Sequence, residues 1–269
     1  MRADSFTDWL DQIGSVKIKQ DDTPMDMYQS GNTLIHFIHL AQAQHMPENF
    51  TQQLSLKYLD TPYRIIHVWE DVWMHKNELV KSRLKAICGK SKKIHARATK
   101  ACRIDKQTAK AFLNTHHLQG STGAYYKYAL MHKDEVVAVA TFSKARVMYD
   151  GPVYYRSYEL ERFACISGYT VTGGLGKLLF AFIDEINPAH IMTYADADWG
   201  KGEGYVKLGF ASAGISAPQL FYVNPENHTR WYADKLLVQH SEDKLKANDL
   251  LKAFTAGNYK YVLDRRDLK

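Results

Sequence analysis

Residues 171–186 read VTGGLGKLLFAFIDEI, glycines running straight into an apolar-striped segment, and no other stretch restricts the fold as much. Leu175, Leu178, Leu179, Phe182, Ile183 and Ile186 recur at intervals of three and four, the spacing that lays one greasy stripe along a helix. The segment predicts a strand-to-helix turn with the helix opening at the glycines. The first helical turn leaves backbone N–H groups without partners, and glycines with no Cβ let an anion approach them. The same glycines also serve a tight turn that holds nothing. Two nucleotide motifs are excluded. Gly89, Lys90 and Ser91 match the end of a P-loop, but Leu84 stands at its first glycine. A dinucleotide fingerprint needs glycine where Leu179 is found.

The chain has 269 residues, 45% of them hydrophobic, enough for one large core or two modest ones; two domains are expected. The N-terminus MRADSFTDWL lacks an apolar signal-like core, and no run approaches the ~18 apolar residues of a membrane span. A cytoplasmic protein with no membrane partner is expected. Cys88, Cys102 and Cys165 are too few and too scattered for a disulfide framework or a zinc cage. The net charge of +6 is concentrated: ten Lys and Arg lie between Met74 and Arg103 against one acid, Glu78, so the rest of the chain is slightly acidic. Such clustering suits a polyanion surface and equally a solvated helix face with a basic linker.

Along the chain, DMYQSGNTLIHFIHL predicts a hairpin, PYRIIHVWEDVW a buried strand ending at acids, and WMHKNELVKSRLKAICG a helix closed by Gly89. The abrupt change at GKSKKIHARATKACR is read as a domain boundary. Asp105 should cap a helix with Ala109, Phe112 and Leu113 inward. DEVVAVATFSKARV and RSYELERFACI are strands, the latter with Tyr158, Leu160 and Ala164 on one face and Glu159, Glu161 and Phe163 on the other. Next in order are the glycine turn and its helix, a strand HIMTYADADW, a short helix GEGYVKLGF and a final strand QLFYVN. The order implies a single mixed α/β sheet flanked by helices.

The series YELERFACISGYTVTGGLGKLL and YADADWGKGEGYVKLGF resembles the GNAT acyltransferases, and within them the Mom-type phage proteins that modify the exocyclic amine of adenine in DNA. It is also similar to the C-terminal module of phage Vsr-like homing endonucleases, which share HLQG, the YELxRF strand and, at the end, the LKAFTAGNYKYVLDRRDLK tail. The N-terminal part resembles their restriction-endonuclease-like half: MDMY supplies Asp26, WEDVW supplies Glu70 and Asp71, and KNELVKSRL the helix. His36 in LIHF stands where that family has a metal-binding glutamate. Magnesium prefers oxygen ligands, so this half is expected to be an inactive module that holds DNA, with no resident metal. A softer-metal set of His36, Asp26 and His39 is the alternative to ordinary core or surface histidines.

The resemblance implies three segments: a degenerate nuclease-like domain over 1–97, a GNAT-like domain over 98–225, and an extension over 226–269 packing on it. It implies acetyl-CoA or another acyl-CoA held at Val171, Thr172, Gly173, Gly174, Leu175, Gly176 and Lys177. Val171 stands where the coenzyme A signature has Gln or Arg, which leaves another activated acyl donor open. Alignment to the YELxRF and YADxxW strands makes Glu161 and Asp196 the base candidates, with Glu159 and Asp198 behind them. Tyr205 matches the tyrosine that protonates the leaving thiolate, and His116 and His117 would line the acceptor side. Tyr125, Tyr126 and Tyr128 could stack on an unpaired base. Lys90, Lys92, Lys93, Arg97, Lys100 and Arg103 would bind DNA. The function expected is acyl transfer to a base amine in DNA; the alternative is a homing or restriction-type endonuclease whose GNAT-like part reads DNA.

Overall fold

The computed structural model describes residues 4–18, 26–233 and 250–266. In chain order the elements are α1 (Asp4–Gln12), β1 (Val16–Ile18), β2 (Asp26–Ser30), β3 (Thr33–Ile38), α2 (Leu40–Ala43), α3 (Phe50–Lys57), β4 (Arg64–Trp69) and α4 (Glu70–Ile87). Next come β5 (Lys92–His95), β6 (Lys100–Arg103), α5 (Lys106–His116), β7 (Tyr126–His132), β8 (Glu135–Phe142), β9 (Arg146–Asp150), β10 (Val153–Cys165), β11 (Tyr169–Thr172), α6 (Gly174–Ile186) and β12 (His190–Asp196). The last are α7 (Glu203–Val206), β13 (Ala211–Ile215), β14 (Leu220–Val223), β15 (Arg230–Tyr232), β16 (Leu251–Phe254) and β17 (Asn258–Asp264).

Two compact units interleave along the sequence. The first takes Met1–Asn77, Ala195–Gly202 and Ile215–Tyr259; the second takes Glu78–Tyr194, Glu203–Gly214 and Lys260–Lys269. These limits differ from the expected linear breaks near 97 and 225. The first falls inside α4, next to its kink at Lys76 (φ −138°, ψ 34°). The basic stretch is no free linker, since β5 pairs with β11 and β6 with β7.

Unit 1 holds a four-stranded sheet in the order β1-β2-β3-β4, antiparallel except for the parallel β3/β4 pair. TLIHFI and RIIHVW are nearly continuous apolar runs, which suits strands covered on both sides; β3 is buried throughout. Phe6 of α1 stacks on Phe37 at 4.4 Å and meets Trp73 edge-on at 4.7 Å. A second sheet, β15-β14-β16, joins this core through Phe221, Val223 and Ala253 against Ile38 and Trp69. QLFYVN therefore belongs to unit 1 rather than to the large mixed sheet. Its alternation is right, but long-range packing decides which sheet buries Phe221 and Val223. Arg230 grips Asp71 with two bonds of 2.7 Å while its guanidinium lies 3.7 Å from the Phe221 ring centre.

Unit 2 is built on a mixed sheet ordered β13-β17-β12-β10-β8-β7-β6, with β9 paired to the extended start of β10. The C-terminal segment thus supplies β17 inside the sheet, where the sequence suggested an extension packing on its surface. Asp105 caps α5 as expected, accepting from Gln107 N and Thr108 N. Helix α5 presses Ala109, Phe112 and Leu113 onto Ala129, Val139 and Ala164. On the opposite face, Phe182 of α6 stacks on Phe142 at 3.9 Å and is edged by Tyr126, Tyr128 and Tyr158. These tyrosines pack the core, so Tyr126 and Tyr128 are not set out to stack on a base.

One expected alternation fails. The β10/β8 register slips between Leu160 and Arg162, a bulge that leaves Glu161 as the extra residue and reverses the faces beyond it. Tyr158 packs toward α6, whereas Ala164 packs under α5.

Two buried histidines carry a pH prediction. His36 and His67 lie opposite each other in β3/β4, joined Nδ1 to Nδ1 at 2.9 Å, and His67 Nε2 meets Ser55 Oγ at 2.9 Å. His36 thus turns to His67 and is not assembled with Asp26 and His39. Burial pushes His36 down to about 4 and His67 well below its ordinary value. The folded state binds fewer protons than the unfolded one between about pH 6.5 and 4, so stability is lost as pH falls through that window. The slope of thermal midpoint against pH should be shallower in His36→Gln than in the parent; other titrating groups cancel in that difference.

Candidate active site

The parallel strands β10 and β12 pair over only four residues, from Ser157↔His190 to Leu160↔Thr193. Beyond that point β10 continues along β8 and the two strands part. In open α/β sheets such a gap at the carboxyl ends of parallel strands is the customary place for a ligand. Thr193 Oγ1 donates to the Leu160 carbonyl at 2.9 Å, satisfying the last acceptor before the gap. The Tyr205 side chain lies beside Thr193. Burial raises the Tyr205 phenol, while its Thr193 neighbour and the Arg83 charge pull it back; it stays protonated at neutral pH and can donate a proton. Tyr205 also packs on Phe210 and Tyr261, which fixes its ring.

Glu159 and Glu161 flank Leu160. Burial pushes the Glu159 carboxyl up, Arg146 at 3.4 Å draws it down, and the neighbouring Glu161 charge raises it further. Glu161, carried by the bulge, accepts a short hydrogen bond from Thr122 Oγ1. Arg162 makes no clamp on that carboxylate through these bonds: its guanidinium donates to the Gly120 carbonyl at 3.2 Å and the Glu161 carbonyl at 2.8 Å. Burial raises the Glu159 carboxyl, the direction that favours a general base; sequence reasoning placed Glu161 first and Glu159 behind it.

The glycine turn combines two functions. Gly173 is left-handed (φ 78°) and exposed, and no side chain caps α6, so the first-turn amides are available as anion donors. Gly174 and Gly176 sit in tight packing: an added Cβ would lie 3.0 Å from Val171 and from Leu208 Cδ2, respectively, and would press on both neighbours. Val171 is core and Leu175 half-buried, while Thr172 is exposed. Lys177 turns to the backbone carbonyls of Ala96 and Thr99, pinning the basic segment against the turn, where Ala96 Cβ would stand 3.5 Å from a Cβ on Gly173. On that segment Lys90, Lys92, Lys93, Arg97 and Lys100 are exposed. Arg103 is committed elsewhere: it pairs with Glu185 and covers the rings of Tyr126 and Tyr128.

His116 bonds Ser167 Oγ at 2.9 Å, tying α5 to the β10–β11 turn, and His117 Nδ1 accepts from Gln119 N at 3.1 Å. Asp196 and Asp198 belong to unit 1, whereas Glu159 and Glu161 belong to unit 2. Asp198 is 3% exposed and accepts from Trp69 Nε1 at 2.9 Å and Ala256 N at 2.8 Å. Burial, with Asp196 beside it, raises its carboxyl to about 7. Asp196 caps the 3-10 turn next to it, accepting from Asp198 N at 3.0 Å. Asp198 therefore belongs to the interior of unit 1, while Asp196 is half-buried at its edge. Nearby in that unit, His39 lies 3.7 Å from Asp26 and 3.6 Å from Glu70, and Lys17 pairs with Asp26 at 2.6 Å.

The sequence passed over the β9/β10 hairpin, where Val147, Tyr149, Val153 and Tyr154 are more than half exposed. The Asp150–Gly151 pair between alternating residues was its available signal.

No family model and no curated protein matches the chain. Among solved structures it is similar to the ribosomal-protein-S18-alanine N-acetyltransferase of Escherichia coli (16% identity, 62% of this chain and 93% of that one, TM-score 0.37). It is similar also to a Bacillus subtilis acetyltransferase in complex with CoA (13% identity, 62% and 98%, TM-score 0.36).

If Asp198 is a structural acceptor, Asp198→Ala leaves two buried donors unpaired and should cost on the order of 3 kcal/mol of unfolding free energy. Glu159→Gln, on a half-buried strand position, should cost under about 1 kcal/mol. Chemical denaturation of both variants measures the contrast.

Proposed function

We propose that unit 2 is an N-acyltransferase that takes an acyl group from acetyl-coenzyme A or another acyl-coenzyme A and passes it to the exocyclic amine of a DNA base, adenine first. The observation that carries this reading is the grouping of Tyr205 beside Thr193, which bonds the Leu160 carbonyl, where β10 and β12 part, with Glu159 and Glu161 on either side of Leu160. The ordered GNAT-like motifs of the sequence support it. The donor set fits an anionic carrier: uncapped amides open α6, and exposed Lys92, Lys93 and Arg97 lie on the segment pinned to the glycine turn. Bound there, such a carrier supplies an activated thioester carbonyl.

The chain's own residues divide the proton work. An adenine amine is a weak nucleophile because its lone pair is delocalised into the ring, so it needs a base; Glu159, raised by burial, removes its proton. Tyr205, held neutral by burial, protonates the departing group. A base within duplex DNA must first leave the stack, and the exposed cations of the basic segment supply sequence-independent attraction for the phosphate backbone. The alternative, a nuclease, draws on the Asp26–His39–Glu70 cluster. It requires magnesium-dependent DNA cleavage that disappears in Asp26→Ala.

Incubating the protein with acetyl-coenzyme A and DNA, then digesting to nucleosides for mass spectrometry, should reveal mass-shifted adenosine. Tyr205→Phe should lower kcat by about 10²-fold. The rate should rise with pH through the raised Glu159 titration, because the base acts when ionised, and Glu159→Gln should remove that limb. Absence of carrier-thiol release with DNA or with any amine acceptor would defeat the proposal; thiol release with small amines alone would keep the transferase and remove DNA as acceptor.

A further inference from the structure

Lys127, Thr141 and Arg162 occupy one row across β7, β8 and β10, on the sheet face that α5 covers. The aliphatic contact of α5 lies one row further along, at Ala129, Val139 and Ala164. Between the first turns of the helix, the 121–124 loop and this row lies a cavity of about 20 Å³, with Lys106, Lys110, Ser121, Thr122, Lys127 and Thr141 in its lining. A space of that size admits one oxygen atom of a ligand.

Two independent features point to what that oxygen belongs to. Thr141 is 2% exposed and its Oγ1 makes no hydrogen bond, a rare condition for a buried hydroxyl. Three lysines also line the cavity. Lys106 and Lys110 stand one turn apart on α5 and are exposed, and Lys127 reaches in from β7, its Nζ bonded to the Tyr125 carbonyl at 3.0 Å. Among the described residues no carboxylate lies within ion-pairing distance of these three. The two nearby acids are engaged: Glu161 takes the Thr122 hydroxyl, and Asp105 caps α5. Like charges gathered at one rim repel one another, and an anion relieves that repulsion.

We infer that this pocket binds a phosphate group, one oxygen reaching the Thr141 hydroxyl inside and the others held by Lys106, Lys110 and Lys127. A tetrahedral oxyanion can point one oxygen inward while presenting the rest to cations outside. The phosphate comes either from a free phosphate or from the diester backbone of a nucleic acid. The inference rests on the pocket alone, and its test uses no acyl carrier, so it stands or falls apart from the transfer reaction.

The test is a thermal-shift and calorimetric titration of the full chain with inorganic phosphate, repeated with a short single-stranded oligonucleotide. Parent protein should gain thermal midpoint with phosphate. Thr141→Val, which removes an unpaired hydroxyl, should fold with an unchanged or higher midpoint yet bind phosphate about tenfold more weakly. The double variant Lys106→Gln/Lys110→Gln should weaken it by at least as much. Oligonucleotide that displaces phosphate from the parent, and loses affinity in Thr141→Val, identifies the diester as the source; failure to displace identifies free phosphate. Parent protein that binds neither, or Thr141→Val that binds as well as the parent, overturns the inference, the latter by reducing the site to a general cationic surface.

Discussion

The chemistry available to unit 2 depends on a parallel pair that stops pairing. Strands β10 and β12 share a ladder for four residues and then separate, which removes partners from backbone groups that would otherwise satisfy one another. The bulge at Glu161 is the local cause on the β10 side, because an extra residue bends the strand and re-aims the side chains beyond it. Thr193 secures the last carbonyl, and Tyr205 lies beside Thr193. Glu159 and Glu161 flank that carbonyl's residue along β10.

Raised carboxyls occur in both units, and their surroundings separate their roles. Asp198 and Glu159 are both pushed up by burial. Each Asp198 oxygen receives an N–H donor from the interior of unit 1, so the carboxyl ties Trp69 to Ala256. Glu159 has an exposed arginine at 3.4 Å and no such pair of internal donors among its described bonds. The same direction of shift thus arises in an internally bonded carboxyl and in one beside an exposed charge.

Local structure was legible because it follows from local causes. The α6 stripe, the Asp105 cap and the β2/β3 hairpin each depend on residues a few positions apart. The bulge was passed over: strict alternation was read through ELERF, although Glu161 and Arg162 stand together as two polar residues, and the register slip becomes visible when β8 supplies a partner. The membership of QLFYVN was equally hidden, since Phe221 and Val223 would be buried as well by one sheet as by another until Ile38 and Trp69 are in place. For the site, Tyr205 and the two glutamates were named from sequence, but their different surroundings, Arg146 beside Glu159 and Thr122 on Glu161, were not. Lys177 and Arg103 were read as ligands for anions and are spent on Ala96, Thr99 and Glu185.

The sequence by itself determined the amphipathic helices α5 and α6, the Asp105 cap and the glycine entry to α6, because periodicity and capping are written in neighbouring positions. Tertiary structure alone decided which strands pair, where β10 and β12 part, and which charged groups keep a free valence. Those outcomes depend on residues far apart in the chain competing for the same partners, and burial settles that competition only once the whole core has formed.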